Sequence, residues 1–168
     1  MTRPVTEPGE GPVSGPRTFC VAVADASRAR VFVLEPDPAT GDAAASELVE
    51  VAEITNPRVR ARGAAGLSFD RRDIERLFAA EIAEEAAAVW RCYPPCELIV
   101  AASPAMLAAL RSAIRARIEG PIGPSGIHEL ARDLVKLSAP RLRDELAGAG
   151  VVPARGAAAH RSDLAGWT

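Results

Sequence analysis

An arginine-rich segment joined directly to a long amphipathic segment is the feature that most constrains this sequence. NPRVRARGAAGLSFD is followed by RRDIERLFAAEIAEEAAAVW, whose apolar residues recur every three or four positions. That spacing predicts a helix with one buried face. Asp70 is predicted to cap the helix N-terminus. Gly63 and Gly66 favour a loop before it, because glycine tolerates backbone angles closed to other residues. We therefore expect an exposed basic loop from Asn56 to Asp70.

Short apolar runs on both sides of this helix predict strands. The first two are separated only by Asp25 to Arg28, which predicts a hairpin, and Asp25 is expected to bond the backbone amides of that turn. Later strands alternate with helices, an arrangement that predicts parallel pairing. The expected strands are residues 19–24, 29–34, 47–54, 97–102 and 127–130. The two later helices are expected to begin after Ser103 and Ser138, which are the expected N-caps. The first of these helices is expected to end at residue 118.

The predicted order is β-β-β-α-β-α-β-α, which indicates an α/β fold with a mixed β-sheet of about five strands. Ribonuclease-H-like folds share this order. One domain is expected over residues 18–152, because 168 residues suffice for a single core. The Pro- and Gly-rich residues 1–17 and the Ala-, Gly- and Arg-rich residues 153–168 are expected to be disordered tails.

Composition narrows the location and the partners. There is no secretory signal and no apolar run near the roughly 20 residues that span a bilayer, so we predict a cytoplasmic protein without a membrane partner. The formal net charge of −2 gives no overall attraction to nucleic acid. Three cysteines cannot all pair, and Cys92 and Cys96 lack the second ligand pair of a zinc site. We predict neither metal nor cofactor.

No complete catalytic constellation is present, and we predict no catalytic residue. A two-metal nuclease needs carboxylates that converge from several elements, including the first and fourth strands. Here the first strand offers only Asp25, at its end, and the fourth offers only Glu97, at its start. Ser103 lies between a strand and a helix but lacks the glycines of a nucleophile elbow. His128 is expected to be a satisfied, partly buried residue rather than a base. The sequence has no Walker motif and no dinucleotide fingerprint.

The basic loop and the arginines of the second predicted helix remain as a candidate binding site. Guanidinium groups and the free amides of a helix N-terminus can bind phosphates together. The alternative is that these are solubilising surface arginines, some paired with the acidic strand from Glu47 to Glu53. The predicted RNA- or phosphate-binding residues are Arg58, Arg60, Arg62, Arg71, Arg72, Arg111 and Arg115.

Five segments, in order, resemble the bacterial family known as host attachment protein, or "protein required for attachment to host cells". They are ADASRARVF, LVEVAEITNPRVR, FAAEIAEEA, ASPAMLAALR and DLVKLSAPRLRDEL. The resemblance extends over about residues 18–146. This family is similar to the central domain of archaeal and eukaryotic peptide-chain release factors and of Pelota. The resemblance implies a ribonuclease-H-like fold and a ribosome or tRNA partner.

The release-factor loop that corresponds to Arg62–Ser68 carries Gly-Gly-Gln, which helps water attack peptidyl-tRNA. Here that loop has no glutamine. The resemblance therefore implies a non-catalytic module that binds ribosomal RNA or tRNA. The alternative is a protein-interaction or regulatory domain indirectly required for attachment, and a peptidyl-tRNA hydrolase would need a catalytic group that we cannot identify. The oligomeric state stays open: Val49 and Val51 could pair with a second copy, although their charged neighbours oppose this.

Overall fold

A computed structural model describes residues 17–61, 70–93, 96–118 and 127–155. Residues 1–16 and 156–168 of the predicted tails, Arg62 and the glycines Gly63 and Gly66 lie outside these ranges. The strands are β1 (Thr18–Ala24), β2 (Arg28–Leu34), β3 (Val49–Thr55), β4 (Cys96–Ala101) and β5 (Ile127–Leu130). The helices are α1 (Pro57–Ala61), α2 (Arg71–Cys92), α3 (Pro104–Arg115) and α4 (Ala139–Gly148), with a 3-10 turn at Ala43–Ala45.

The five strands form one mixed sheet in the order β3-β2-β1-β4-β5. β2 pairs antiparallel with both β1 and β3, whereas β4 pairs parallel with β1 and with β5. The predicted α/β class, hairpin, meander and parallel pairing are confirmed. β1 is apolar throughout because it is the central strand, and every residue from Phe19 to Ala24 is buried.

Helices cover both faces of the sheet, so the chain has two hydrophobic clusters. α2 and α3 pack on one face, where alanines such as Ala79, Ala83 and Ala86 let α2 lie close to its neighbours. α4 covers the other face and contributes Leu142 and Leu146. The predicted helical periodicity of α2 is confirmed, because Ile74, Phe78 and Ile82 face the core on the α2 side.

The strand directions determine where the helices begin. β1, β3, β4 and β5 all run the same way, since β2 alone is antiparallel to its neighbours. α2 connects β3 to β4 and α3 connects β4 to β5, so both helices run back against the strands. Both therefore start at the carboxyl edge of the sheet, side by side on one face.

The prediction of a loop from Asn56 to Asp70 is wrong for its first part, because Pro57–Ala61 is a short helix. Asn56 is buried and caps this helix: its Oδ1 accepts from the Arg58 amide at 3.2 Å, and its Nδ2 donates to the Ala26 carbonyl at 3.1 Å. An Asn-Pro pair is a helix-start signal, since proline is well suited to the first helical position.

Other differences concern boundaries and caps. β3 begins at Val49 rather than at residue 47, and α3 ends at Arg115 rather than at residue 118. Ser103 and Ser138 occupy the predicted N-cap positions, but neither side chain makes a cap hydrogen bond. Pro104 directly follows Ser103, and Pro140 is the second residue after Ser138. Each proline lacks a backbone N–H, so the first turn of each helix has one free amide donor fewer.

Arg143 is fully buried in the core beneath α4, and the sequence analysis did not single it out. Its guanidinium donates to four backbone carbonyls, at 2.9 Å to Ser46, 2.9 Å to Pro153, 3.0 Å to Ala43 and 3.3 Å to Ala44. One side chain thus ties α4 to the 3-10 turn between β2 and β3 and to the chain after α4.

Arg30 joins three parts of the fold. Its guanidinium forms a double hydrogen bond with Glu50 of β3, at 3.2 and 2.7 Å. It also donates to the carbonyls of Val135 and Leu137 before α4 and lies 4.8 Å above the Phe32 ring. The hydrogen bond from Arg30 lowers the pKa of the Glu50 carboxyl, although burial opposes this shift.

Replacing Arg143 by Ala is expected to lower the free energy of unfolding by about 3 kcal/mol or more, because hydrogen bonds from a charged group contribute about 1.5–3 kcal/mol each. Urea denaturation measures this loss. Arg143→Lys should recover only part of it, since an ammonium lacks the planar fork of guanidinium donors. The control is Arg141→Ala, at an exposed position of the same helix. Equal losses of unfolding free energy in the Arg143→Ala and Arg141→Ala variants would contradict the stabilising role of the Arg143 hydrogen bonds.

Replacing Glu50 by Gln is expected to lower the melting temperature at pH 7. The pKa of Glu50 is lower in the folded protein than in the unfolded chain. Its stabilisation is therefore complete above the unfolded pKa of about 4.3 and is lost as the pH falls through the folded value. The difference between wild type and variant should shrink over that range, whereas exposed Glu35→Gln should show no such trend. A difference that persists at pH 2 would refute this assignment.

Candidate nucleic-acid interface

The predicted binding arginines do not form one site. Arg58 lies in α1, where its Nη2 donates to Glu81 Oε1 of α2 at 2.8 Å. Its Nη1 is buried and has no hydrogen-bond partner among the described residues. The Arg60 side chain and all of Arg62 lie outside the described residues. The first arginine of the predicted loop is therefore held in an ion pair instead of standing free in solvent.

Two arginines stand at the start of α2, as predicted. Asp70 caps the helix, its Oδ1 accepting from the Arg72 amide at 3.2 Å. The Arg71 side chain is exposed and pairs with Glu75 one turn later, at 3.3 Å. The Arg72 side chain is exposed and forms no ion pair with any described residue. Of these two guanidiniums, Arg72 is the more available to a ligand.

A groove of about 410 Å³ lies between the first turns of α2 and α3. α2 contributes Arg72, Glu75 and Arg76, and α3 contributes Ala105, Ala108, Ala109 and Ser112. Arg76 was not among the predicted site residues. The sequence does contain the signal for it, because positions i and i+4 share one face of a helix and Arg76 is four residues after Arg72.

Two further predicted arginines lie on α3 beside this groove. Arg111 and Arg115 follow Ala108 and Ser112 by three residues, so they occupy the neighbouring row of the helix surface. Arg111 forms a double hydrogen bond with Glu129 of β5, one arm measuring 2.7 Å between Nε and Oε1. Hydrogen bonding from Arg111, and to a smaller extent the charge of Arg115, lowers the pKa of the Glu129 carboxyl, against the effect of burial.

Helical geometry separates Arg58 from this surface. Glu81, which holds Arg58, follows Arg72 by nine residues, which at about 100° per residue places it on roughly the opposite side of α2. The groove therefore has Arg72 and Arg76 on its α2 wall. Arg111 and Arg115 lie on the row of α3 next to its other wall, and Arg58 lies on the other flank of α2. We call the exposed face formed by Arg72, Arg76, Ala108, Arg111, Ser112 and Arg115 the α2–α3 surface.

In the described part of the chain, the acidic residues around the third strand pair with arginines outside the predicted loop. Glu50 binds Arg30, Glu53 lies 3.8 Å from Arg28, and Glu47 binds Arg155. Arg28 and Arg30 are on β2, directly beside β3 in the sheet, so they reach these carboxylates first.

The carboxylates weighed for catalysis lie at opposite ends of the sheet. Asp25 follows β1 at the carboxyl edge, where its Oδ1 accepts from the amides of Ser27 and Arg28 at 2.8 Å, confirming the predicted turn role. Burial raises the pKa of Asp25, but these hydrogen bonds outweigh it and the pKa is lowered. Glu97 begins β4 at the amino edge. Because β1 and β4 are parallel, the two carboxylates cannot converge on one metal pair.

Glu97 is instead part of a buried polar group. Its Oε1 accepts from Arg17 Nη1 at 2.6 Å, and its Oε2 lies 3.3 Å from His128 Nε2. The expected satisfied, partly buried His128 is thus confirmed. Within the described ranges, no three His, Cys, Asp or Glu side chains come together as a metal site. Likewise, no helix there has the length and apolar character to cross a membrane.

The cysteines behave as the sequence predicts. All three are free, and Cys20 and Cys96 are buried in neighbouring strands, whereas Cys92 is exposed. Burial raises the pKa of the Cys96 thiol to about 11, and it raises that of Cys20 further. Neither buried thiol is therefore a ready nucleophile or metal ligand, since the reactive form is the thiolate.

Two kinds of known protein are similar to this chain, solved structures and a family profile. Among solved structures, Pelota from Thermoplasma acidophilum matches with a TM-score of 0.45 and 11% identity over 82% of this chain. An archaeal translation termination factor matches with a TM-score of 0.44 and 13% identity over 79% of this chain. The matches cover 35% and 39% of those two chains. No curated protein matches.

The family profile described as "Protein required for attachment to host cells" matches residues 20–146. That range runs from the third residue of β1 to Leu146 of α4. It includes the other four strands, both helices packed on one face and most of the helix on the other. The chain therefore belongs to the family of proteins required for attachment to host cells.

Proposed function

We propose that this protein is a cytoplasmic RNA-binding module that acts without catalysis and takes ribosomal RNA or tRNA on the α2–α3 surface. The observation that carries this proposal is the gathering of arginines from two helices around one groove. Arg72 and Arg76 line it from α2, and Arg111 and Arg115 flank it from α3. The sequence spreads these residues over 44 positions, and the parallel crossovers bring their helices side by side.

The positions of these arginines suit phosphate binding. Arg72 and Arg115 are exposed and have no carboxylate within ion-pair distance among the described residues. Arg72 also lies in the first turn of a 22-residue helix, where the helix dipole favours an anion. Guanidinium groups bind phosphate through a planar fork of donors. Such contacts give affinity and position an RNA backbone, but they do not read sequence.

The partner follows from the resemblance stated above, which implies the ribosome or tRNA. The formal net charge of −2 means that attraction must be local to this surface. Acidic side chains elsewhere, such as Glu50 and Glu53 on the opposite face of the sheet, are already held by arginines. On the surface itself Asp73 lies 3.8 Å from Arg76 and Glu129 pairs with Arg111, which leaves Arg72 and Arg115 as the guanidiniums without an ion pair among the described residues.

Replacing Arg72 and Arg115 together by Ala is expected to weaken co-sedimentation with bacterial ribosomes and to reduce its dependence on salt. Each lost phosphate contact should lower the slope of log affinity against log salt by about one. Arg141→Ala, on the opposite face of the sheet, should leave both quantities unchanged. A second comparison replaces Arg58, Arg60 and Arg62 by Ala. Salt-insensitive binding, or equal binding by the Arg72/Arg115 variant and wild type, would overturn the proposal.

A protein partner is the second candidate, and the edge strand β3 favours it. Val49 and Val51 of this strand are 60% and 42% exposed. The register shifts at Val51, which forms a bulge opposite Val31 and Phe32. A bulge hinders pairing with another strand, so contact through side chains is the more plausible mode. The test is capture of protein partners from lysate with and without nuclease treatment. A partner that is captured under both conditions, and is lost when Val49 is replaced by Lys, would favour this candidate over RNA.

A further inference from the structure

The α2–α3 surface has the charge pattern of a duplex reader. Proteins that bind single-stranded RNA stack its bases on aromatic side chains or arginine planes and bond the base edges. Among the described residues, the groove on this surface is lined by arginine, glutamate, alanine and serine. Phe78 of α2 is buried in the core, and Trp90 lies at the other end of the helix. In the part of the chain that the structure describes, the groove therefore offers no aromatic platform for a base.

The arginines instead form two short rows. Arg72 and Arg76 are one helical turn apart on α2, and Arg111 and Arg115 are one turn apart on α3. The two helices run side by side with axes that packed helices place about 8–10 Å apart. The rows therefore stand on either side of a strip of small residues. Ala108 and Ser112 are the exposed centre of that strip.

Two separated rows of positive charge match two separated rows of phosphates. In A-form RNA the minor groove is wide and shallow, and proteins recognise it by contacts to phosphates and 2′-hydroxyl groups across it. Small side chains between the rows let such a surface approach closely. Ser112 supplies an exposed hydroxyl at the centre, because its Oγ donates only a long 3.4 Å bond to the Ala108 carbonyl.

We infer that the α2–α3 surface binds a double-stranded stem of RNA across its minor groove, with the α2 row on one phosphate strand and the α3 row on the other. This inference rests on the proposed function and narrows it to a ligand class. Glu129 holds Arg111 by two of its nitrogens, which fixes the guanidinium and leaves its remaining donors for a phosphate. The mode of binding is independent of base sequence.

The test measures the fluorescence anisotropy of four probes as the full chain is added. The first probe is an RNA duplex of about 16 base pairs, which is the span of known duplex-RNA-binding domains. The others are an RNA duplex of scrambled sequence, one separated strand of the first duplex, and the DNA duplex of the same sequence as the first. We expect both RNA duplexes to bind equally. They should bind at least about tenfold more tightly than the single strand, which offers only one phosphate row. DNA should bind more weakly than RNA because it lacks the 2′-hydroxyl.

Two double variants test the geometry, Arg72→Ala with Arg76→Ala and Arg111→Ala with Arg115→Ala. Each should lower the salt slope for the RNA duplex by about two and remove most of the preference for duplex over single strand. Ala108→Glu should abolish binding by placing a carboxylate between the rows, whereas Ala88→Glu, at an exposed position near the far end of α2, should not.

The outcomes separate this inference from the proposed function. Equal or tighter binding of the single strand, still lost in both double variants, would overturn the duplex assignment and leave RNA binding at this surface intact. Binding of the duplex that depends on one row only would also overturn it. No salt-sensitive binding of any RNA probe would overturn both.

Discussion

The pairing of β1 with an antiparallel neighbour on one side and a parallel neighbour on the other is the constraint on which the rest of the structure depends. β1 is buried on both faces, and its six residues from Phe19 to Ala24 contribute alternately to the two hydrophobic clusters. Because β4 must be parallel to β1, the chain needs a crossover long enough to return, and α2 supplies it. The same requirement places α3 between β4 and β5.

These crossovers also decide where function can reside. Helices that return against parallel strands begin at the carboxyl edge, the edge at which open α/β sheets usually bind ligands. α2 and α3 begin there next to each other, so their first turns share one groove. α4 packs on the opposite face and is tied in place by Arg143. The fold therefore separates an arginine-lined groove from a face held together by buried and partly buried arginines.

Ion pairs determine which arginines are available on that surface. Arg58 is committed to Glu81, and Arg30 is committed to Glu50 and to two backbone carbonyls. Exposed surface ion pairs contribute little to stability, but they reduce the number of guanidiniums that a ligand can engage. Arg72 and Arg115 are exposed without such a partner in the described part of the chain. The guanidiniums that a ligand can engage are therefore decided by their ion pairs and not by a count of arginines in the sequence.

The sequence by itself determined the α/β class, the order of the elements, the buried central strand and the turn role of Asp25. These follow from local signals: apolar periodicity, short polar turns and side chains that bond their own backbone. It also carried the family resemblance. It did not reveal α1, although Asn56-Pro57 is a helix start, because the surrounding arginines and glycines suggested a loop.

Only the tertiary structure decided which arginines meet. Arg72 and Arg111 are 39 positions apart in the chain, and Arg58 is nearer to Arg72 in sequence yet lies on the other flank of α2. Proximity across elements depends on strand direction and helix rotation, which act over distances that no local pattern encodes. For the same reason Arg143 read as an ordinary polar position, and only the packing of α4 over the 3-10 turn showed that it is fully buried.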